Sequence, residues 1–349
     1  MAGGTGGHIY PGLAVADQLK LQGWNIAWLG TRDGMEARII PENGYQFHCL
    51  KIFGVRGKSL ISYLLLPFYI SLSFVQSMRV LLKVKPNVVL SMGGYVAFPG
   101  GIVAFIFRIP LIVHEQNSIP GLTNKLLSKL ASRNLVAFPD SLPGATHTGN
   151  PIRSNIEIDD EVEERLRKHH GPLRILVLGG SRGSDALNKV IPEAISLLSK
   201  DCRPNVIHQS GATQLEELIA RYKKYEVDAT CYDFIHDVGE LYRDADLVIC
   251  RAGAMTISEL SVVGVASFLV PFPYAVDDHQ TQNALFLADN GAAFHIPQDL
   301  LTADYLSQLL LKIDRRELIS MALNARFLSV PNSASVVAGI CELEATHAS

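Results

Sequence analysis

Twice along this chain a glycine-dense turn leads into a helical pattern, and that repeated unit restricts the fold more than any other feature. Gly3-Gly4-Thr5-Gly6-Gly7-His8 opens the first half. Gly179-Gly180-Ser181-Arg182-Gly183 follows the apolar run Arg174-Ile175-Leu176-Val177-Leu178 in the second. A strand running into a glycine turn and then a helix belongs to parallel α/β architecture, because the helix carries the chain back over the sheet. The alternation continues around each turn. Residues 25–29, 87–91, 110–114 and 134–138 read as strands, and 11–21, 97–107 and 121–131 as helices. In the second half a charged helix over 161–170 precedes strands at 174–178, 205–208, 247–250 and 267–270. A length of 349 residues with 48% hydrophobic content supports two such domains, meeting near the turn Gly149-Asn150-Pro151. Only Met1 and Ala2 precede the first glycine turn, where a strand is expected. A sheet lacking a central strand loses backbone partners on both sides, so a truncated or misassigned start is the expectation.

The net charge of −3 hides an asymmetry. Residues 1–150 carry +7 and residues 151–349 carry −10. A basic first half suits nucleic acid or an anionic membrane face. Five cysteines without a CxxC pair favour a reducing cytoplasm, and the opening residues show no signal-peptide pattern. Residues 59–78 are uncharged and near the roughly 20 residues that span a bilayer. Pro67 and Gln76 interrupt them, and Arg56, Lys58, Arg79, Lys83 and Lys85 flank them. A spanning helix, a buried helix and a helix lying on the membrane surface are the three readings, with the interruptions arguing against spanning.

The first glycine turn does not fit the dinucleotide pattern GxGxxG, because Ile9 stands where the third glycine belongs. A nicotinamide enzyme is therefore disfavoured. Its glycines still let backbone amides approach an anion at a helix start. His8, at the end of the turn, can serve as a base or as a cap. Gly54-Val55-Arg56-Gly57-Lys58-Ser59 is too short between its glycines for a P-loop and reads either as a basic loop contacting phosphate or lipid headgroups or as a solvated surface loop. Ser91-Met92-Gly93-Gly94-Tyr95 and His114-Glu115-Gln116-Asn117 each follow a strand, at the edge where such sheets bind ligands. Their polar groups suit sugar hydroxyls or strand-end capping.

Arg251-Ala252-Gly253-Ala254-Met255-Thr256-Ile257-Ser258-Glu259 also follows a strand. It offers a cation, helix-start amides and a carboxylate one turn further along. A diphosphate needs the first two, and a ribose diol is well held by the third. Asp278-His279-Gln280-Thr281-Gln282-Asn283 can read sugar hydroxyls. Asp244-Ala245-Asp246 reads as a helix-to-strand turn, and no His/Cys set has zinc spacing.

Taken in order, Gly3 to His8, Met92 to Tyr95, His114 to Asn117, Gly179 to Ser181 and Arg251 to Glu259 resemble the MurG family over essentially the whole chain. This resemblance implies a GT-B fold: two Rossmann-like domains with an interdomain cleft, and a C-terminal helix returning to the N-terminal domain. It implies an acceptor- and membrane-facing domain over 1–152, a donor domain over 153–331 and the returning helix in 332–349. The implied reaction is inverting transfer of GlcNAc from UDP-GlcNAc to the MurNAc 4-hydroxyl of undecaprenyl-diphosphate-linked MurNAc-pentapeptide. By carry-over, the Ile235 backbone meets uracil, Arg251 and Ser181 meet the diphosphate, and Glu259 holds the ribose. Ala254, Met255, Thr256, Ile257 and Ser258 supply helix-start amides. Gln280 and Asn117 reach GlcNAc hydroxyls, and Arg153 the nucleotide end. Thr5, Gly6 and Gly7 face the acceptor diphosphate and donor sugar, with His8 as the base. Gly4, Tyr95 and Glu115 are acceptor-side candidates. The family pattern requires no metal or cofactor and no nucleic acid. It places the protein peripherally on the cytoplasmic face of the bacterial inner membrane, with cell-wall synthesis proteins as further partners. Arg182 and Ala252 depart from the residues common at their positions. Competing readings are another UDP-sugar transferase acting on a glycolipid, a UDP-GlcNAc 2-epimerase, and a non-catalytic nucleotide-sugar-binding scaffold.

Overall fold

A computed structural model describes residues 1–51, 66–156, 161–180 and 183–347. The chain forms two compact units, Met1–Ser154 with Val330–Ser349, and Asn155–Ser329. Arg153, expected in the second domain, therefore belongs to the first unit.

Among its described residues the first unit has six strands, all parallel: β1 (Ala27–Thr31), β2 (Gln46–Leu50), β3 (Val89–Ser91), β4 (Leu111–Glu115), β5 (Arg133–Val136) and β6 (Thr146–His147). They fall into a pair, β2-β1, and a four-stranded sheet, β3-β4-β5-β6. Met1 and Ala2 occupy the start of the gap between β1 and β3. The Met1 nitrogen donates to Leu90 O (2.7 Å), and Met92 N donates to Met1 O (2.9 Å). Ala2 bridges Gly93 in parallel and accepts from Trp28 Nε1 (3.0 Å). Behind them lies a cavity of about 490 Å³ lined by residues that include Trp28, Leu29, Val89 and Leu90. With the Met1–Ala2 bridge counted as a strand, the order is that of a doubly wound sheet, with its reversal point beside the first glycine turn.

The helix Gly6–Leu21 begins five residues before the expected start at residue 11. Thr5 takes an extended conformation at the N-cap, so the glycines form the first turn and Pro11 lies inside. Proline there removes one bond, to the carbonyl four residues back, which the packed helix tolerates. Ile9 and Leu13 pack on Trp28, Ile40 and Met92. Val15 and Leu19 pack on Val337, Ala338 and Cys341 of the last helix, Ser333–His347. Fully burying each such aliphatic side chain is worth about 1.5–3 kcal/mol, which fixes the C-terminal helix to the first unit. The exposed Arg133–Glu344 pair (2.8 Å) adds little beside that.

Residues 66–84 form the helix Leu66–Val84, held by Phe74 against Phe98 and by Leu81 against Val89 and Val103. No described helix is long and apolar enough to cross a membrane. The spanning reading of this region is thus not supported by the described helix. Residues 59–65, and the basic loop 54–59, lie outside the described residues.

The second unit carries β7 (Arg174–Leu178), β8 (Asn205–Gln209), β9 (Thr230–Tyr232), β10 (Leu247–Cys250), β11 (Ala266–Leu269) and β12 (Ala293–His295). Their order is β12-β11-β10-β7-β8-β9, parallel throughout, the doubly wound arrangement that reverses between β7 and β10. Ile175, Val177, Leu247, Ile249 and Phe268 form its centre, covered by Leu187, Ile191 and Leu306. Sheets covered on both faces need continuous apolar strands, and 174–178 and 247–250 were legible for that reason. Asp246, at the end of the Asp-Ala-Asp string, is buried. It accepts from Arg174 N (2.8 Å) and Arg315 Nη2 (2.9 Å) and pairs with His169 Nδ1 (2.8 Å). It ties the turn before β10 to β7, as the helix-to-strand reading expected.

Candidate active site

In the first unit, the glycine turn has no side chains with which to hold itself. Glu36, fully buried at the start of the helix Glu36–Glu42, does this from behind. Its carboxylate accepts from Gly4 N (3.3 Å), Thr31 N (2.9 Å) and the Thr31 hydroxyl. Gly94 closes the other side. Its φ is +80°, and a Cβ there would lie 2.3 Å from Gly3 O. Thr5 and Gly4 are exposed and Gly6, Gly7 and His8 half-buried, so the turn presents its backbone outward. Tyr95 follows Gly94 and is 37% exposed.

His8 Nδ1 lies 2.7 Å from Gln116 Oε1. Gln116 and His114 are both fully buried, and His114 donates from Nε2 to Gly149 O (2.9 Å). Burial pushes His114 down to about 4 despite the bond to Gly149, so its ring is neutral at neutral pH. Glu115 points the other way. Oε1 accepts from Asn117 N (3.0 Å) and Nδ2 (3.3 Å), and Oε2 from Gly121 N and Asn124 Nδ2 (both 3.0 Å). Its side chain is 0% exposed. Glu115 thus holds the loop that carries Asn117. Arg153 stacks on the Tyr10 ring, 5.8 Å to the centroid, at the base of the same first helix.

In the second unit the carboxyl ends of β7 and β10 lie side by side, Leu178 facing Cys250. Gly179 and Gly183 fold tightly. A Cβ on Gly179 would lie 2.5 Å from Ser184 N, and one on Gly183 2.0 Å from Ser210 O. Ser181 and Arg182 lie outside the described residues. Gln209 braces the turn by donating to Gly180 O (3.0 Å) while its Oε1 accepts from Ile235 N (2.9 Å). The Ile235 N–H is thus engaged within the unit. Behind the turn, Asn188 Nδ2 donates to Ser210 O (3.0 Å) and Gln214 Oε1 (2.7 Å), and its Oδ1 faces His208 Nε2 (3.1 Å).

Arg251 anchors the adjoining loop. Nη1 donates to Val270 O (3.1 Å) and Pro271 O (3.0 Å), Nη2 to Gln298 Oε1 (2.6 Å), and the guanidinium lies over Phe272 (5.6 Å). Partial burial lowers its affinity for its proton, though a guanidinium stays charged. Gly253 starts the helix Ala254–Val263 without a capping side chain. Ile257 N donates to Gly253 O (3.0 Å), so Ile257 and Ser258 belong to the helix ladder. The helix-start amides are those of Ala254, Met255 and Thr256, a shorter set than expected. The Ser258 hydroxyl turns back onto Ala254 O (3.0 Å). Glu259 accepts from Tyr242 OH (3.1 Å) one turn along. Gln280 Oε1 accepts from Phe272 N (2.9 Å), which joins the 272–280 loop to the Arg251 end of the sheet. No cluster of three His, Cys, Asp or Glu with metal-binding geometry occurs among the described residues.

Glu36, Asn124 and Gln209 were not among the sequence candidates. Glu36 looks like an ordinary acid in a helix first turn, and Gln209 like the end of a strand. Asn124 carried a faint signal, as a residue of low helix propensity inside the helix Leu122–Leu127.

Two doubly wound units, each with a glycine-lined turn at its reversal point, have the architecture of the GT-B fold class of glycosyltransferases. Residues 1–136 match the glycosyltransferase family 28 N-terminal domain and residues 174–335 its C-terminal domain. The chain is 51% identical to the UDP-N-acetylglucosamine–N-acetylmuramyl-(pentapeptide) pyrophosphoryl-undecaprenol N-acetylglucosamine transferase of Cupriavidus necator, over 98% of this chain and 96% of that one. It is 50% identical to the enzyme of that name from Nitrosomonas europaea, over 98% and 97%. The crystal structure of Acinetobacter baumannii MurG superposes with a TM-score of 0.86 at 39% identity, covering 98% of both chains. The chain belongs to this family of N-acetylglucosamine transferases, the MurG family.

Proposed function

We infer that the chain transfers N-acetylglucosamine from UDP-GlcNAc to the MurNAc 4-hydroxyl of undecaprenyl-diphosphate-linked MurNAc-pentapeptide, converting lipid I to lipid II in peptidoglycan synthesis. The observation that carries the donor half is the array at the β7–β10 reversal point: Arg251, the amides of Ala254 to Thr256, and Glu259 one helical turn beyond. A cation and helix-start amides suit the diphosphate, and a carboxylate suits the ribose diol. Ser181 adds a hydroxyl to the diphosphate set, and Gln280 and Asn117 address the sugar.

In the reaction His8 takes the proton of the 4-hydroxyl as that oxygen bonds to the anomeric carbon. The bond from that carbon to the diphosphate breaks, its electron pair stays with UDP, and the configuration inverts. Arg251 and the helix-start amides stabilise the charge on the departing UDP, so no metal or other cofactor is required. Thr5, Gly6 and Gly7 face the acceptor diphosphate and the donor sugar.

The protein works on the cytoplasmic face of the inner membrane without crossing it, where cell-wall synthesis proteins are its neighbours. The basic first half and the helix Leu66–Val84 face the lipid, with Val75, Met78 and Leu82 exposed beside Arg79 and Lys83. Nucleic acid has no place in this reading.

The test is UDP release with and without the lipid-linked acceptor, in EDTA. Release that needs the acceptor supports the reading. Epimerisation of UDP-GlcNAc in its absence would sink it, as would strict metal dependence for the cofactor statement.

A further inference from the structure

We propose that Gln116 and His114 are positioning residues that fix the tautomer of His8, placing its proton on Nδ1 and its lone pair on Nε2. This rests on the reading that His8 takes the acceptor's proton. One group in this chain of contacts has a polarity that cannot change. Gly149 O is a backbone carbonyl and only accepts, so His114, 2.9 Å away at Nε2, donates from that nitrogen. The ring is neutral, as shown above, so it holds one proton and Nδ1 of His114 is an acceptor. Gln116 Nε2 sits 2.9 Å from that Nδ1 and also 2.9 Å from His114 O. Both are acceptors, and an amide NH2 has two hydrogens to satisfy both. The reversed amide would set its oxygen against two acceptors at the same distances.

The amide oxygen is thereby aimed at His8 Nδ1 at 2.7 Å. An amide oxygen only accepts, so His8 must carry its proton on Nδ1. This is the opposite of the tautomer that a free imidazole side chain favours in water. A neutral His8 then has its lone pair on Nε2, the atom that must receive the proton of the acceptor hydroxyl. The frame is stiff. His114 and Gln116 are fully buried, Asn124 Nδ2 donates to His114 O (3.0 Å), and Asn150 Nδ2 donates to Gln116 O (3.1 Å). Polarity therefore passes from a backbone carbonyl at Gly149, through two side chains, to the base.

The experiment is long-range 1H–15N correlation of the histidine rings in the whole chain, with His8 identified by loss of its signals in His8→Gln. In the unsubstituted protein the expected result is an Nδ1–H tautomer for His8 and an Nε2–H tautomer for His114. In Gln116→Met, which removes the amide but keeps its bulk, His8 is expected to move to Nε2–H. The kcat for transfer is expected to fall about 100-fold, as a base held in the wrong tautomer implies, while KM for UDP-GlcNAc changes little. A purely structural role for Gln116 predicts no tautomer change. An Nε2–H tautomer for His8 in the unsubstituted protein overturns the proposal whatever the rate, and so does a Gln116→Met variant with an unchanged kcat. The ring spectra need no acceptor. Absence of transfer by the unsubstituted chain, with the Nδ1–H tautomer in place, therefore counts against the functional reading while supporting the tautomer assignment.

Discussion

Replacing Glu115 by glutamine separates the two roles that its position offers. The swap keeps shape and removes one acceptor oxygen. All four groups around the carboxylate are donors: Asn117 N and Nδ2 on one oxygen, Gly121 N and Asn124 Nδ2 on the other. Whichever way the new amide turns, its NH2 faces two donors, one of them a backbone amide. At least two bonds to a charged acceptor are lost, each worth about 1.5–3 kcal/mol, so the expected loss is about 3–6 kcal/mol. For a unit of this size that corresponds to a fall in Tm of roughly 10 °C. The assay is specific, because both tryptophans, Trp24 and Trp28, lie in the first unit and Trp28 is buried. Thermal unfolding followed by tryptophan fluorescence thus reads that unit alone. Transfer activity is expected to fall too, through misplacement of Asn117. A variant whose fluorescence Tm is within a degree or two of the parent while turnover collapses would refute the reasoning and return Glu115 to direct contact with substrate.

The other predictions concern both units. Asp246→Asn is expected to destabilise the second unit by about 3–5 kcal/mol at neutral pH, because it breaks a buried ion pair and leaves Arg315 facing an amide. Burial raises the Asp246 pKa, but the bonds from Arg174 N, His169 and Arg315 outweigh it and hold it below the usual carboxylate value. Its stabilisation is therefore complete above the unfolded pKa and lost as pH falls through the lower folded one, so urea midpoints of parent and variant should converge only in strong acid. His114 and His208 are held down to about 4 and about 3 by burial. The unfolded chain then binds more protons below pH 6.5, and His114 alone should remove about 3 kcal/mol of stability between pH 6.5 and 4, readable in the same fluorescence transition. Gly94→Ala should abolish transfer while leaving UDP binding to the second unit intact by calorimetry, since its Cβ would strike Gly3 O. Joining about five Val- and Ile-rich residues ahead of Met1 should raise the fluorescence Tm by filling the cavity between β1 and β3; an unchanged Tm would show that the cavity does not admit a strand.

The fold was legible where burial leaves a simple trace. Strands 174–178 and 247–250 are covered on both faces and read as unbroken apolar runs, so their bounds agree with the structure. β2, β6, β9 and β12 were missed because they edge their sheets. The β2 sequence Gln-Phe-His-Cys-Leu alternates only weakly, and its exposure follows suit. The helix at the first glycine turn was begun late because Pro11 resembles a first-turn proline, whereas glycines 6 and 7 form that turn themselves. At the site, the outward-facing groups were legible as motifs. The long-range contacts that hold them were not. Glu36 acts on Gly4 from 32 residues away, and Gln116 on His8 from 108. No local spacing carries such a contact.

That division has a physical cause common to both units. A glycine turn admits a ligand closely because it lacks side chains, and for the same reason it cannot hold its own shape. Something behind it must satisfy its backbone without entering the ligand's space, and that partner must be buried, where an unsatisfied polar group is expensive. In the first unit the carboxylates of Glu36 and Glu115 gather donors. In the second the amide of Gln209 bridges Gly180 O and Ile235 N, and that of Asn188 donates to Ser210 O while its oxygen faces the His208 ring. A carboxylate suits a turn whose N–H groups point inward, and an amide suits one where carbonyls and N–H groups alternate. The choice at each position therefore follows from which backbone atoms the glycines turn away from the ligand. Exchanging the types, Gln209→Glu for example, should loosen the turn even though size and polarity are kept, because a carboxylate cannot donate to Gly180 O. Weaker UDP binding by Gln209→Glu, with the unit still folded by circular dichroism, is the result this argument requires.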